Sequence, residues 1–372
     1  MRRLIAAIAV MATLAACSEE KQPPPPAVSW SKVDVSAEPV ALKARGDQLL
    51  IGLRKRDAKI VPQLVLLDQG KQTPIAVKPN PASPYAFEAI WYSIAYDGKQ
   101  LVALGGASGG AHSNTRWTVW TGSIKGGLVE HPQVFWTFGG EDAGGLFSAV
   151  ITPAGGKALL GSWGGVQTGN DAAVWLPQGG DTKWNRQSPA KTALQSTPSL
   201  LVGASYGTTL GDSIVLVGSQ VRLAPNVVAQ EAAVWRSAEL NQGWTLVPLP
   251  EPGSRSQANT ATCSKDCVIS GYVDGQLAIW RLDAQGTTKR LAGVPSIPVG
   301  DKDKLPPPIV DGDKIVQIVA QDNKVKVLTG HDGSWTVQET TGPQGLVTDA
   351  AMTQDHKVYL IAGGTLWETT LS

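Results

Sequence analysis

Three cysteines and four histidines carry the strongest intrinsic chemistry in this 372-residue chain, and their spacing limits what they can do. Cys263 and Cys267 flank Ser264-Lys265-Asp266, a short polar turn. Residues facing each other across a tight hairpin meet the distance requirement for a disulfide, and an oxidising compartment would close one there. No histidine lies beside them in sequence to complete a metal site. His112, His131, His331 and His356 are scattered and form no two-histidine motif of metal-ligand spacing. Gly106-Ala107-Ser108-Gly109-Gly110 has the letters of a nucleophile elbow only approximately; no helix follows, and it reads as a flexible loop. The same glycines are no dinucleotide fingerprint, which needs a βαβ unit. No catalytic residue, metal or other cofactor is expected.

The elements that must position these residues follow one pattern written seven times: a tight turn, an apolar strand, a loop, and a second apolar strand that often ends in Trp. The turns are Gly46-Asp47, Asp97-Gly98, Gly155-Gly156, Gly211-Asp212, Lys265-Asp266, Gly312-Asp313 and Asp355-His356, spaced 43–58 residues apart. A repeat of that period built of strands and turns predicts an all-β, seven-bladed β-propeller. Each blade has four antiparallel strands, a to d, from the axis outward. Inner strands carry small residues, as in Ser148-Ala149-Val150 and Thr260-Ala261-Thr262, while outer strands carry Trp120, Trp175, Trp235 and Trp280. Blades diverge from the axis, so large indoles fill the widening gap. The last blade runs out after three strands. Trp30 to Val35, which resembles Trp244-Thr245-Leu246-Val247, is expected to supply the fourth and close the ring.

The amino terminus reads as an export segment. Arg2 and Arg3 precede an apolar run, Leu4 to Leu14, too short to span a bilayer. Leu14-Ala15-Ala16-Cys17 resembles the bacterial lipobox, which implies cleavage after residue 16 and acylation of Cys17. Two or more acyl chains anchor a protein stably. The predicted organisation is a lipoprotein signal peptide over 1–16, the lipidated cysteine and a Pro-rich linker over 17–28, and the propeller over 29–372. Ser18 in place of Asp leans toward the outer membrane over the cell membrane. Without Arg2 and Arg3 the formal charge is −1, so a nucleic-acid partner is not expected. The body is expected to be monomeric.

Strands ending in Trp, followed by a polar hairpin and Trp or Gly-x-Trp, resemble the Asp-box (neuraminidase-repeat) propellers of exported bacterial proteins. The nearest matches are Thr329 to Trp335 and Ser237-Ala238-Glu239 leading to Gly243-Trp244, both off the family's Ser/Thr-x-Asp-x-Gly-x-x-Trp spacing. In that family the box is a perimeter hairpin and implies no catalysis. Sialidases of this architecture use an arginine cluster and a Phe/Tyr-Arg-Ile-Pro motif. That tetrapeptide is absent, and Arg236, Arg281 and Arg290 fall on outer strands or loops.

Binding sites concentrate on loops held by a rigid scaffold. The b–c connections of blades two, three and four are read as long loops, Gly105 to Arg116, Gly161 to Asp171 and Gly218 to Glu231, whereas those of blades five to seven are short. They predict a wall over one sector of one face, with His112, Asn114, Arg116, Gln167, Asn170, Arg222, Asn226 and Gln230 around an exposed Trp163, joined by Glu141 and Asp142. The expected function is non-catalytic binding of an envelope protein or polysaccharide. The alternatives are a glycoside hydrolase or lyase acting on surface polysaccharide, and a structural assembly factor.

Overall fold

The computed structural model describes residues 25–57, 59–109 and 114–371; Cys17 and His112 lie outside them. Seven antiparallel sheets follow one another along the chain in the order a-b-c-d. Blade one comprises Glu38–Arg45, Gln48–Arg56, Ile60–Asp68 and Lys71–Ile75. Blade two comprises Ile90–Tyr96, Leu101–Ser108, Thr115–Ser123 and Gly127–Glu130. Blade three is Ala143–Ile151, Lys157–Gly164, Asn170–Gln178 and Lys183–Arg186. Blade four is Leu200–Leu210, Ser213–Ala224, Val227–Arg236 and Thr245–Pro248. Blade five is Ser256–Cys263, Cys267–Val273, Gln276–Leu282 and Thr288–Arg290. Blade six is Ile309–Asp311, Lys314–Gln321, Lys324–His331 and Ser334–Gln344. Val347–Met352, Lys357–Ala362 and Thr365–Thr370 make three strands of blade seven. Its fourth is Ser31–Val33, antiparallel to the last strand with Val33 opposite Leu366 and Lys32 opposite Trp367. Just before it, Val28–Ser29 adds a parallel strand outside blade six, opposite Thr340 and Thr341. The amino-terminal segment therefore ties blade six to blade seven as well as closing the ring.

The core lies between neighbouring blades. Leu50, Leu64 and Leu66 of blade one meet Trp91, Ile94, Leu101 and Trp120 of blade two. At the closure, Leu49, Ile51 and Leu53 meet Tyr359, Ile361 and Leu366 of blade seven. Middle strands covered on both faces bury continuous apolar runs, as parallel sheets do in sandwiched folds. Trp120, Trp175, Trp235 and Trp280, in the second half of four c strands, have no solvent exposure. Cys263 and Cys267 are paired across the a–b turn of blade five and form a disulfide, with Cα atoms 4.0 Å apart.

The inner strands carry a device that the turn pattern does not announce. In six blades strand a carries an extra residue at an equivalent place relative to strand b, namely Val40, Tyr92, Phe147, Ser205, Asn259 and Thr348, and blade three has a second register shift between Ala143 and Leu146. A β-bulge of this kind leaves its extra residue unpaired and re-aims it. The side chain just after the bulge can then clasp the next blade. Ser93 Oγ accepts the Ala149 N–H (3.0 Å), and Ser148 Oγ accepts the Gly207 N–H (3.0 Å). Across the closure, Asp349 Oδ2 accepts the Leu42 N–H (2.7 Å).

Candidate functional site

In this topology the starts of strands a, the b–c turns and the d–a links share one face. The long loops expected there are instead extended hairpins. Leu101–Ser108 pairs with Thr115–Ser123 out to Ser108 opposite Thr115, and Gly106 to Ser108 are strand residues, not a flexible loop. Blade three pairs out to Gly164 opposite Asn170, and blade four to Ala224 opposite Val227 with a two-residue turn at Pro225-Asn226. Gly106, Ser108, Ser162, Gly164, Gly218 and Ser219 interrupt the apolar pattern, but each pairs across its hairpin.

Aromatic side chains collect on the blade-two side of this face. The bulge residue Tyr92 packs edge-on against Trp117, with ring centroids 4.8 Å apart. Arg116 lies over the Phe135 ring at 5.3 Å, and Phe135 packs edge-on against Trp136 at 5.0 Å. Phe135 and Trp136 belong to a one-turn helix, Phe135–Phe138, in the link between blades two and three. One residue roots that turn: Phe138 is buried edge-on against Trp175, whose Nε1 donates to the Thr137 carbonyl (2.9 Å). The others face out. Trp136 is 72 % exposed, Val134 74 %, Phe135 52 % and Tyr92 49 %. Contiguous exposed apolar surface of this kind marks contact sites in soluble proteins.

The predicted residues divide among three surroundings. Trp163 is half-buried rather than the exposed aromatic expected: it is packed edge-on against Trp175, and Arg186 stacks over its ring at 4.4 Å. The stacking partner comes from an outer strand, so local sequence around Trp163 does not reveal it. Burial pulls the Arg186 guanidinium pKa down, while Asp171 and Asp142 oppose that shift. Asp142 also fixes the base of the blade-three hairpin, its carbonyl accepting the Gly164 N–H (2.7 Å). Asn114, Glu141, Gln167, Asn170 and Asn226 are exposed on this face, Asn226 at the tip of the blade-four hairpin. Arg222 and Gln230 are bound within the protein. Arg222 pairs with Glu231, which also accepts from Gln220 Nε2 (3.0 Å). Gln230 Oε1 accepts from Arg255 Nε (3.0 Å), and Arg255 continues to Asp301 (2.6 Å), itself bonded by the Tyr272 hydroxyl. Burial, then the bond to Asp301, pushes the Tyr272 hydroxyl up to about 12. The expected single wall is thus an aromatic sector over blades two and three and a braced polar sector over blades four and five.

A second feature escapes motif reading because its members lie on separate blades. The axis holds a cavity of about 950 Å³ lined by inner-strand residues. Its charged lining residues are Glu38, Lys43, Arg54, Lys304 and Asp349. Glu38 is held by Arg54 and Arg56 near the mouth, which keeps its carboxyl below the usual range. Deeper, burial pushes Asp349 up to about 7 despite backbone bonds from Leu42 and Ala350, and burial pulls the Lys43 ammonium down. Burial also raises the Tyr206 hydroxyl, as does Asp349. Lys43 and Tyr206 stand among small residues on their inner strands, the one trace they leave in the sequence. Among the described residues no three His, Cys, Asp or Glu side chains are grouped to hold a metal ion.

No protein-family model and no curated protein matches this chain. Solved structures share its architecture. Virginiamycin B lyase from Staphylococcus aureus superposes with a TM-score of 0.58 at 13% identity, over 92% of this chain and 97% of that one. A Hadza microbial sialidase gives 0.51 at 12% identity, over 86% and 73%. The propeller domain of the trilobed protease from Pyrococcus furiosus, described as having an open velcro topology, gives 0.52 at 10% identity, over 91% and 97%. At these identities the likeness is one of fold, and the chain is a seven-bladed β-propeller.

Proposed function

We propose that this chain is an exported, lipid-anchored propeller that holds an envelope protein or polysaccharide against the aromatic sector of blades two and three. The observation that carries this reading is the exposed turn Val134-Phe135-Trp136, presented to solvent by a buried Phe138. Large planar side chains offer contact area at low conformational cost, and tryptophan and arginine are enriched where binding energy concentrates. The anchor is the cysteine of Leu14-Ala15-Ala16-Cys17.

The likeness to Asp-box propellers is supported at one hairpin. Asp332 accepts the Ala292 N–H (2.8 Å), and Trp335 Nε1 donates to the Ala292 carbonyl (3.1 Å). This clasp joins blade six to the outer end of blade five, at the perimeter of the ring. A glycosidase of the usual two-carboxyl kind would need such a pair free to act as acid and base. The two that line the channel, Glu38 and Asp349, are engaged by arginines and by backbone N–H groups.

Replacing both Phe135 and Trp136 with alanine leaves Phe138 in place and removes most of the exposed aromatic area. Capture of envelope proteins and of surface polysaccharide by the immobilised protein is expected to fall by at least about tenfold, the equivalent of ~1.4 kcal/mol. Undiminished capture by a variant with an unaltered melting transition would overturn the assignment of this face.

A further inference from the structure

We propose that the axial channel is a binding site for a small oxyanion, a carboxylate or a phosphate, received by the Lys43 ammonium and the hydroxyls that share its chamber. Lys43 is half-buried and lines the cavity, where it makes no hydrogen bond or ion pair with any described residue and feels Asp349 only at longer range. The Tyr206 hydroxyl, brought from blade four on the far side of the ring, likewise has no partner among them, nor do the hydroxyls of Thr208 and Thr262, which line the same space. Donors left unmade in a confined chamber are costly unless a guest or water completes them.

The charge balance selects the sign of the guest. Arg54 and Glu38 neutralise each other near the mouth. Lys304, exposed in the link between blades five and six, is a second lining cation without a partner among the described residues. Against these stands Asp349, whose two carboxyl oxygens are turned to the N–H groups of Leu42 and Ala350. Asp349 and Lys43 each oppose the other's burial shift without forming an ion pair, so the charged lining as a whole keeps an excess of one cation. An anion beside Lys43 would balance that excess, and the hydroxyls would satisfy its remaining oxygens. The chamber volume falls within the range of small-molecule sites, roughly 300–1,000 Å³.

The inference is independent of the aromatic face and is tested apart from it. The purified protein is treated with acetic anhydride at neutral pH in the presence of about 10 mM citrate, inorganic phosphate or glucose, a concentration that fills any site of millimolar affinity or better. Acetylation at Lys43 and at the exposed Lys302 is then read by mass spectrometry. Citrate or phosphate is expected to protect Lys43 about tenfold while Lys302 is unchanged and glucose is without effect. Protection by citrate alone identifies the carboxylate source, and by phosphate alone the phosphate source. Calorimetric binding of the protecting anion is expected to weaken at least about tenfold in Lys43→Gln. Absence of protection by either anion, equal protection by glucose, or unchanged binding to Lys43→Gln would each refute the site.

Discussion

At the scale of single residues, Asp349 carries the seam of the ring. Its carboxylate spans from blade seven to the Leu42 N–H of blade one, where Ser93 and Ser148 make the equivalent clasps with a neutral hydroxyl. The charge is a liability there. Its carboxyl titrates near 7 in the folded chain, above the ordinary value of 3.8, with burial the leading cause. The folded state therefore holds a proton that the unfolded chain has already released, and stability falls as pH rises from about 4 through 7 before levelling off. Asp349→Asn keeps an oxygen for the Leu42 N–H and discards the charge. It is expected to flatten this part of the pH profile, while the amide N–H turned toward the Ala350 N–H, a donor that the carboxylate accepts in the parent, offsets any gain in stability at pH 8. Urea unfolding of both proteins between pH 5 and 8 measures this; parallel profiles would refute it.

Among elements, the bulged inner strand explains several glycines that the repeat leaves unexplained. Gly218 and Gly271 sit on b strands opposite Ala204 and Ala258, at the bulges of blades four and five. A Cβ at Gly271 would overlap the carbonyl oxygen of Gln257, and one at Gly218 that of Gly203. Backbone atoms cannot step aside as a flexible side chain can. Gly271→Ala is expected to lower stability by about 2–4 kcal/mol, beyond the usual range for one added methyl group in a core. Denaturant unfolding beside Gly145→Ala, an exposed position with open space around it and no left-handed φ, separates this from the general effect of losing a glycine. The seven turns and the c-strand tryptophans were legible in the sequence because each is local: a turn residue declares its φ, and an indole its need for burial. Register is not local. Gly105-Gly106-Ala107-Ser108 reads as a loop until Thr115–Thr118 lies opposite, and Trp163 reads as exposed until Arg186 arrives from another strand. The aromatic turn was within reach, since Val134-Phe135-Trp136-Thr137-Phe138 is apolar yet falls between the strands of two blades. Lys43 and Tyr206 come together only through the ring.

For the whole molecule, the amino-terminal strand decides whether the circle holds. Removing residues 25–35 strips the outer strand from blade seven and the parallel strand from blade six, and takes Trp30 from the core it shares with Val316, Val327 and Leu360. Unpaired outer strands of Ser334–Gln344 and Thr365–Thr370 would then be open to pairing with other chains. The truncated protein is expected to melt well below the full chain and to elute as oligomers on size-exclusion chromatography; an unaltered monomer would show that the closure is dispensable. The bulges have another consequence for the ring. Val40, Tyr92, Phe147, Ser205, Asn259 and Thr348 are inserted residues that no ladder obliges, none of them is fully buried, and four of them border the axial chamber. Val40 and Phe147 also pack against the core between blades, but Tyr92, Ser205 and Thr348 can change identity while their blades keep register, so a lineage of such proteins could change what it recognises by exchanging single letters at these places and leave the framework as it stands.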